Sequence, residues 1–202
     1  MGRKRKIPLR YAILVVCEGE QTEKHYFNSF SSRKLHVNVQ PYVGDPRQIV
    51  LRAELLKAKK AYDETWVVFD LDYNPSRGRE QYNEFHQALA LARKLDIGVA
   101  YSIDAFELWF RLHYESVSNG LSRKALYKDL SRRWGINYES DGKREQFAKS
   151  IFGRLAADED ADIELALQRA EKLWGRKQHL PIEEQNPITT VHLLVKKLLA
   201  FA

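Results

Sequence analysis

Two acidic clusters, Glu18-Gly19-Glu20 and Asp70-Leu71-Asp72, each close a run of apolar residues. Carboxylates brought to one place repel, and a hard divalent cation that prefers oxygen ligands relieves the repulsion. Mg2+ or Mn2+ is therefore the cofactor that Glu18, Asp70 and Asp72 would hold if they met. Gly19 lets the backbone turn sharply and leaves room for a phosphate group to approach. Taken singly, each cluster is equally well an ordinary solvated strand end or helix cap. Their occurrence together, at corresponding ends of two strands, is what points to chemistry.

The clusters meet only if the segments before them are neighbouring strands. Tyr11–Cys17 (YAILVVC) and Thr65–Phe69 (TWVVF) are short, continuous and rich in β-branched residues, as strands buried on both faces are. His36–Val43 alternates like a further strand, with Pro41 suggesting an edge position, and Ile97–Ser102 is the fourth. Between them, Lys24–Phe30 carries aromatics at 26, 27 and 30. Gly44-Asp45-Pro46 opens a helical period through Ile49, Leu51, Leu55, Leu56 and Ala58, and Glu80 to Leu95 keeps Phe85, Ala88, Leu89, Ala92 and Leu95 on one side. The order β-α-β-α-β-α-β predicts an α/β fold with a mostly parallel sheet of about four strands, helices on both faces and right-handed crossovers.

Ligands of such a sheet bind beyond the carboxyl ends of its strands. The first and third strands are commonly neighbours, and two-residue alternation lets positions 70 and 72 face the same way. After residue 103 no further strand is evident. Phe106–His113 reads as a largely buried helix, segments near 122–134, 144–155 and 160–174 as amphipathic helices, and 188–201 as an apolar closing helix after Asn186-Pro187. The expected organisation is a basic arm over 1–10, an α/β core over 11–103 and a helical extension over 104–202 packed on that core.

The chain has 202 residues, of which 44% are hydrophobic and 30% charged, a usage that excludes overall disorder or low-complexity fibre. A formal net charge of +6 favours polyanionic partners. The lone Cys17 excludes an intrachain disulfide and an all-cysteine zinc site, and fits a reducing interior. The run Tyr11–Cys17 is far shorter than the ~20 residues of a membrane span. The basic start lacks the apolar length and cleavage site of a signal peptide. The sequence reads as cytoplasmic, with no membrane partner, and leaves homo-oligomerisation open.

Arg3, Lys4, Arg5 and Lys6 make a dense cationic arm, and Arg77 and Arg79 follow Asp72 in a turn-rich loop. All six are candidate contacts to nucleic-acid phosphates, an attraction that releases counterions and weakens with salt. Arg123, Lys124, Lys128, Arg132 and Arg133 can line one helix face, which solvation explains equally well. Glu107 closely follows the fourth strand and is a candidate fourth acid at the sheet's carboxyl edge. A salt bridge to Arg111, four positions on, competes with that reading. His113, six positions from Glu107, is off that face and reads as a core histidine. His192 and Asn186 read as residues that dock and terminate the final helix, and Asp158-Glu159-Asp160 with Asp162 and Glu164 as acids complementing a helix start.

Val15-Val16-Cys17-Glu18-Gly19 with the later Val67-Val68-Phe69-Asp70-Leu71-Asp72 resembles the Toprim pattern, found in topoisomerases, primases and OLD-type nucleases. CEGEQTEKHYF (17–27), WVVFDLD (66–72), FELWFRLHYE (106–115) and NPITTVHLLVKKL (186–198) are together similar to the RloB-like family of bacterial defence-associated proteins. The resemblance implies a Toprim-like, metal-dependent nuclease fold in which Glu18, Asp70 and Asp72 are the catalytic acids holding one or two Mg2+ or Mn2+ ions. Such ions polarise a phosphate, help ionise a water and stabilise the leaving oxygen; Glu18 acts as ligand or as general base. OLD-type nucleases commonly carry a further glutamate four residues after the first. Here position 22 is Thr and the acids stand at Glu20 and Glu23, so which of them assists is open. The resemblance also implies nucleic acid as partner, DNA and RNA being undistinguished, an ATPase of the AAA type in some systems, and a role in phage defence. Two rivals stand beside it: a phosphatase using Asp70 as nucleophile, and a non-catalytic nucleic-acid-binding or docking module.

Overall fold

The structure is a computed structural model and describes residues 10–201. The cationic arm with Arg3, Lys4, Arg5 and Lys6 lies outside the described residues. Four parallel strands, β1 (Tyr11–Cys17), β2 (Leu35–Pro41), β3 (Glu64–Asp70) and β4 (Gly98–Ile103), and a short antiparallel β5 (Ile188–Thr189) form one sheet in the order β2-β1-β3-β4-β5. β1 and β3 are neighbours, as the acid clusters require, and β2 with its terminal Pro41 is an edge strand. β5 corrects the expectation of no strand after 103. It hydrogen-bonds along the far side of β4, so the closing helix begins only at Val191.

Two-residue alternation divides each central strand between two cores. Ile13, Val15 and Cys17 of β1 face one side with Trp66 and Val68 of β3, while Leu14 and Val16 face the other with Val67 and Phe69. The second side is covered by α2 (Pro46–Lys57) and α3 (Glu80–Lys94) through Ile49, Val50, Ala53, Phe85, Ala88 and Ala92. The start of α2 follows from its sequence. Asp45 accepts from Gln48 N–H at 2.9 Å, Gln48 Oε1 accepts from Asp45 N–H at 3.3 Å, and Pro46 stands in the first turn, where a missing N–H costs nothing.

The first side holds α1 (Thr22–Asn28) and the later helices α4 (Glu107–Tyr114), α5 (Arg123–Trp134), α6 (Glu145–Ala157), α7 (Ile163–Lys177) and α8 (Val191–Leu199). α8 presents Val191, Leu194, Val195 and Leu198 to this core at helical spacing. α4 is nearly engulfed, and its Trp109 Nε1–H donates to Tyr26 Oη on α1 at 2.7 Å. Because the later helices share a core with β1 and β3, their polar residues reach the carboxyl edge of those strands. Among the described residues, no helix is long and apolar enough to cross a membrane.

Candidate active site

The parallel pairing of β1 and β3 sets the first contact. Cys17 is in register with Val68, and Glu18 N–H donates to Val68 O at 3.0 Å, carrying the chain off β1 beside the end of β3. There Asp70 N–H donates to Glu18 Oε2 at 3.4 Å. The Asp70 carboxylate turns inward, and its Oδ2 accepts from Phe106 N–H at 2.9 Å, at the entry to α4. Glu18 stays exposed at the cleft mouth.

After Gly19 the chain folds directly into α1, bringing Glu23 back over the turn. A Cβ on residue 19 would lie 1.7 Å from Glu23 Oε2, so the glycine lets that carboxylate stand where it does, and any larger residue would push it aside. The helical half supplies the opposite wall. Glu107, buried at the start of α4, accepts from Tyr138 Oη–H at 3.0 Å and pairs with Lys143 Nζ. Arg123, in the first turn of α5, reaches Asp72 Oδ2 at 3.3 Å and Asp70 Oδ2 at 3.6 Å through the same Nη2. The result is a cleft of about 280 Å³, walled by residues 18–23 and Asp70 on one side and by Arg123 and Lys143 on the other.

Seven carboxylates stand in and around this cleft, those of Glu18, Glu20, Glu23, Asp70, Asp72, Asp104 and Glu107, against the two cations Arg123 and Lys143. Burial pushes the Glu23 carboxyl up to about 7, and Glu107 and Glu18 add to that against the pull of Lys143. Burial likewise raises Asp70 well above the usual range, reinforced by Glu23 and Glu107. Partial desolvation by the cleft walls raises Glu18 and Asp72 too, exposed though their outer faces are, with the Asp70 N–H opposing the first shift and Arg123 the second. Burial alone would lower the Lys143 ammonium, but Glu107, Tyr127 and Glu23 reverse that and keep it charged.

A pH dependence follows. An unfolded glutamate titrates at 4.5 and native Glu23 at about 7, so between those values the folded chain keeps a proton that the unfolded chain releases. The Glu23 contribution to stability is then greatest below that window, falls as pH rises through it, and levels off above it; Asp70 acts with the same sign. In chelator at pH 8, Glu23→Gln is expected to flatten this slope and to stabilise by on the order of 2 kcal/mol, raising Tm by about 4–8 °C. Thermal melts by circular dichroism at pH 5 to 8 check it. A variant melting no higher than the parent at pH 8 would show that the Glu23 charge carries no burden.

The structure joins Glu18 and Asp70 directly, but Asp72 differs from its expected place. β3 ends at Asp70, and Asp72 lies two residues further on with its side chain 58% exposed, tied to Asp70 only through Arg123. Glu20 is exposed at the rim and Glu23 is buried within. Glu107 is buried behind the cleft, joined to it through Lys143, and does not line it; Arg111 binds Glu115 and Asp129 instead of Glu107. Arg77 and Arg79 are paired with Glu84 and Glu183, and neither lines the cleft. His113 is buried on another side of α4, where burial lowers its imidazole to about 4, as fits a core histidine. His192 is buried at the start of α8, and Asp162 caps α7 by accepting from Leu165 N–H at 2.8 Å.

The sequence reading missed both cleft cations. Lys143 follows an irregular turn (Tyr138–Gly142) that carries no periodic signal, and Arg123 stands in the sequence as one of five cations on a helix face, open to nucleic-acid attraction and to solvation alike. One signal was available for Arg123: it directly follows Ser122, the cap of α5, so it belongs to a helix end and not to the helix flank.

Among the described residues, no three Asp, Glu, His or Cys side chains surround one point closely enough to form a finished ion-binding ring. The donor set nonetheless suits Mg2+ or Mn2+. It is all oxygen and it holds more negative than positive charge; burial, reinforced by neighbouring carboxylates, raises Glu23 to about 7 and Asp70 well above the usual carboxylate range. A family model described as "RloB-like protein" matches residues 13–198. Neither the curated proteins nor the solved structures return a match.

Proposed function

The chain belongs to the RloB-like family, and from that premise we propose that it is a Toprim-like, metal-dependent nuclease acting in bacterial defence against phage. The observation that carries the reading is the meeting of Glu18 and Asp70 at the carboxyl edge of adjacent parallel strands, in a cleft with a surplus of carboxylate. Glu18 and Asp70 would hold the ion, with Asp72 and Glu23 as further oxygen donors. When bound, Mg2+ or Mn2+ would supply Lewis-acid activation of a phosphate and of a water. The protein's own residues hold Asp70 through the Phe106 N–H, keep Glu18 at the mouth where water enters, and present Arg123 and Lys143 to a phosphate.

The non-catalytic reading has one observation in its favour: the two cations already neutralise part of the acid cluster, as in a finished structural ion-pair network. Calorimetry separates the two. The parent protein is expected to take up Mn2+ and Glu18→Gln to bind it at least about tenfold more weakly, because a ligand charge is lost while the backbone contacts remain. Cleavage of labelled RNA and DNA in Mn2+ should fall in parallel. No heat of Mn2+ binding by the parent protein, together with no cleavage of either substrate, would leave the docking module as the surviving reading.

A further inference from the structure

We propose that Arg123 is a movable counter-ion, stored on Asp70 and Asp72 in the free protein and passed to a substrate phosphate when a divalent cation takes those carboxylates. The inference rests on the reading of the cleft as a metal-dependent phosphodiesterase site, and adds to it the device that keeps the site closed until substrate and metal arrive together.

Arg123 holds its acids at longer range than Arg111 and Arg133 hold Asp129. A single nitrogen, Nη2, is shared between Asp72 at 3.3 Å and Asp70 at 3.6 Å. Elsewhere Arg111 Nη1 meets Asp129 at 2.6 Å, and Arg133 Nε meets the same carboxylate at 2.9 Å. Arg123 Nε is buried with no hydrogen-bond partner among the described residues, so the guanidinium uses little of its donor set where it stands. A planar fork with idle donors is matched to a phosphate, which accepts two parallel N–H bonds.

The surroundings are built to let the side chain move and hold the backbone still. Arg123 N–H donates to Asp104 Oδ2 at 2.9 Å, and Asp104 Oδ1 accepts from Tyr73 N–H at 3.1 Å, which fixes the start of α5 against the loop after β3. The Arg123 side chain itself is 35% exposed. Lys143, the other cation, is anchored instead: it pairs with the buried Glu107, and its Nζ lies 5.1 and 5.7 Å from the ring centroids of Tyr127 and Tyr138.

Charge accounts for the exchange. With Arg123 between them, Asp70 and Asp72 share one positive charge, and a dication cannot enter without opposing it. A phosphodiester brings one negative charge, takes the guanidinium, and leaves the two carboxylates to a doubly charged ion. Metal and substrate then bind with positive coupling, each removing an obstacle to the other.

Calorimetric titration of Mn2+ into the full chain tests this. Arg123→Gln should bind Mn2+ roughly fivefold or more tightly than the parent, and Arg123→Lys, which keeps the charge, should stay near the parent value. A non-cleavable phosphorothioate oligonucleotide should tighten Mn2+ binding by the parent and leave Arg123→Gln unchanged. A merely structural arginine would weaken both when removed. If Arg123→Gln does not fold, the Nε–H resonance of Arg123 in the parent serves, identified by its loss in Arg123→Lys, and it should shift on adding Mg2+ with oligonucleotide. Equal or weaker Mn2+ binding by a folded Arg123→Gln, or an unmoved resonance, overturns the proposal while leaving the metal site in place. Absence of Mn2+ binding from every form, with and without oligonucleotide, would remove the underlying nuclease reading as well.

Discussion

Asp70→Asn is expected to reduce Mn2+-dependent cleavage by about 10³-fold while leaving the melting temperature equal to or above that of the parent. The two effects have one cause. Burial, with Glu23 and Glu107 facing it, makes the ionised Asp70 carboxylate unfavourable in the folded protein, which is why its proton is held well above the usual range. The asparagine is nearly the same size, its side-chain oxygen can still accept from Phe106 N–H, and it carries no charge for its neighbours to oppose. An isosteric loss of charge that stabilises a fold and removes activity marks a group retained for function. The comparison needs cleavage rates at fixed Mn2+ together with melts of both proteins in chelator. Cleavage within tenfold of the parent would take Asp70 out of the catalytic set. A large fall in Tm would instead make it a structural residue whose loss inactivates by unfolding.

The parts of this molecule that were legible in its sequence are those governed by short-range periodicity. YAILVVC and TWVVF announce buried strands because continuous β-branched runs have few other uses, and Asp45-Pro46 announces a helix because both residues favour its first turn. The meeting of Glu18 and Asp70 followed from strand order alone, since adjacent parallel strands end at the same edge. β5 could not be read in the same way. Its two residues span a single period, and what makes them a strand is the open side of β4, where Thr190 N–H donates to Tyr101 O at 2.8 Å. Strand alternation does not account for the place of Asp72, because β3 ends at Asp70 and it is Arg123 that brings the two acids to one point. Lys143 was illegible for a further reason: it meets Glu107 across 36 positions of chain, from a turn without period, and such a pairing exists only once α4, α5 and α6 have packed. The acids that begin the site were therefore visible, and the cations that complete it were not.

Lys143→Met addresses that completing contact and carries the largest expected effect on stability. Glu107 is 1% exposed, and its carboxylate has two partners among the described residues, Lys143 Nζ and Tyr138 Oη–H. Removing the lysine leaves a buried charge held by one neutral hydroxyl, which costs about 3–5 kcal/mol and about 10 °C or more in Tm. Changing Glu107→Gln together with Lys143→Met should recover most of that loss, because a buried ion pair contributes little beyond an uncharged pair of similar shape. The same variants decide what Glu107 does for the site. If its carboxylate is a metal ligand, saturating Mn2+ will restore part of the Tm of Lys143→Met, by binding the folded form at the charge the lysine abandoned, and will stabilise the double variant less. If Glu107 serves only to anchor Lys143, Mn2+ will shift both melts equally. Melts of the parent and the two variants, each with chelator and with Mn2+, give the answer. A single Lys143→Met protein as stable as its parent would mean that the pair is no anchor.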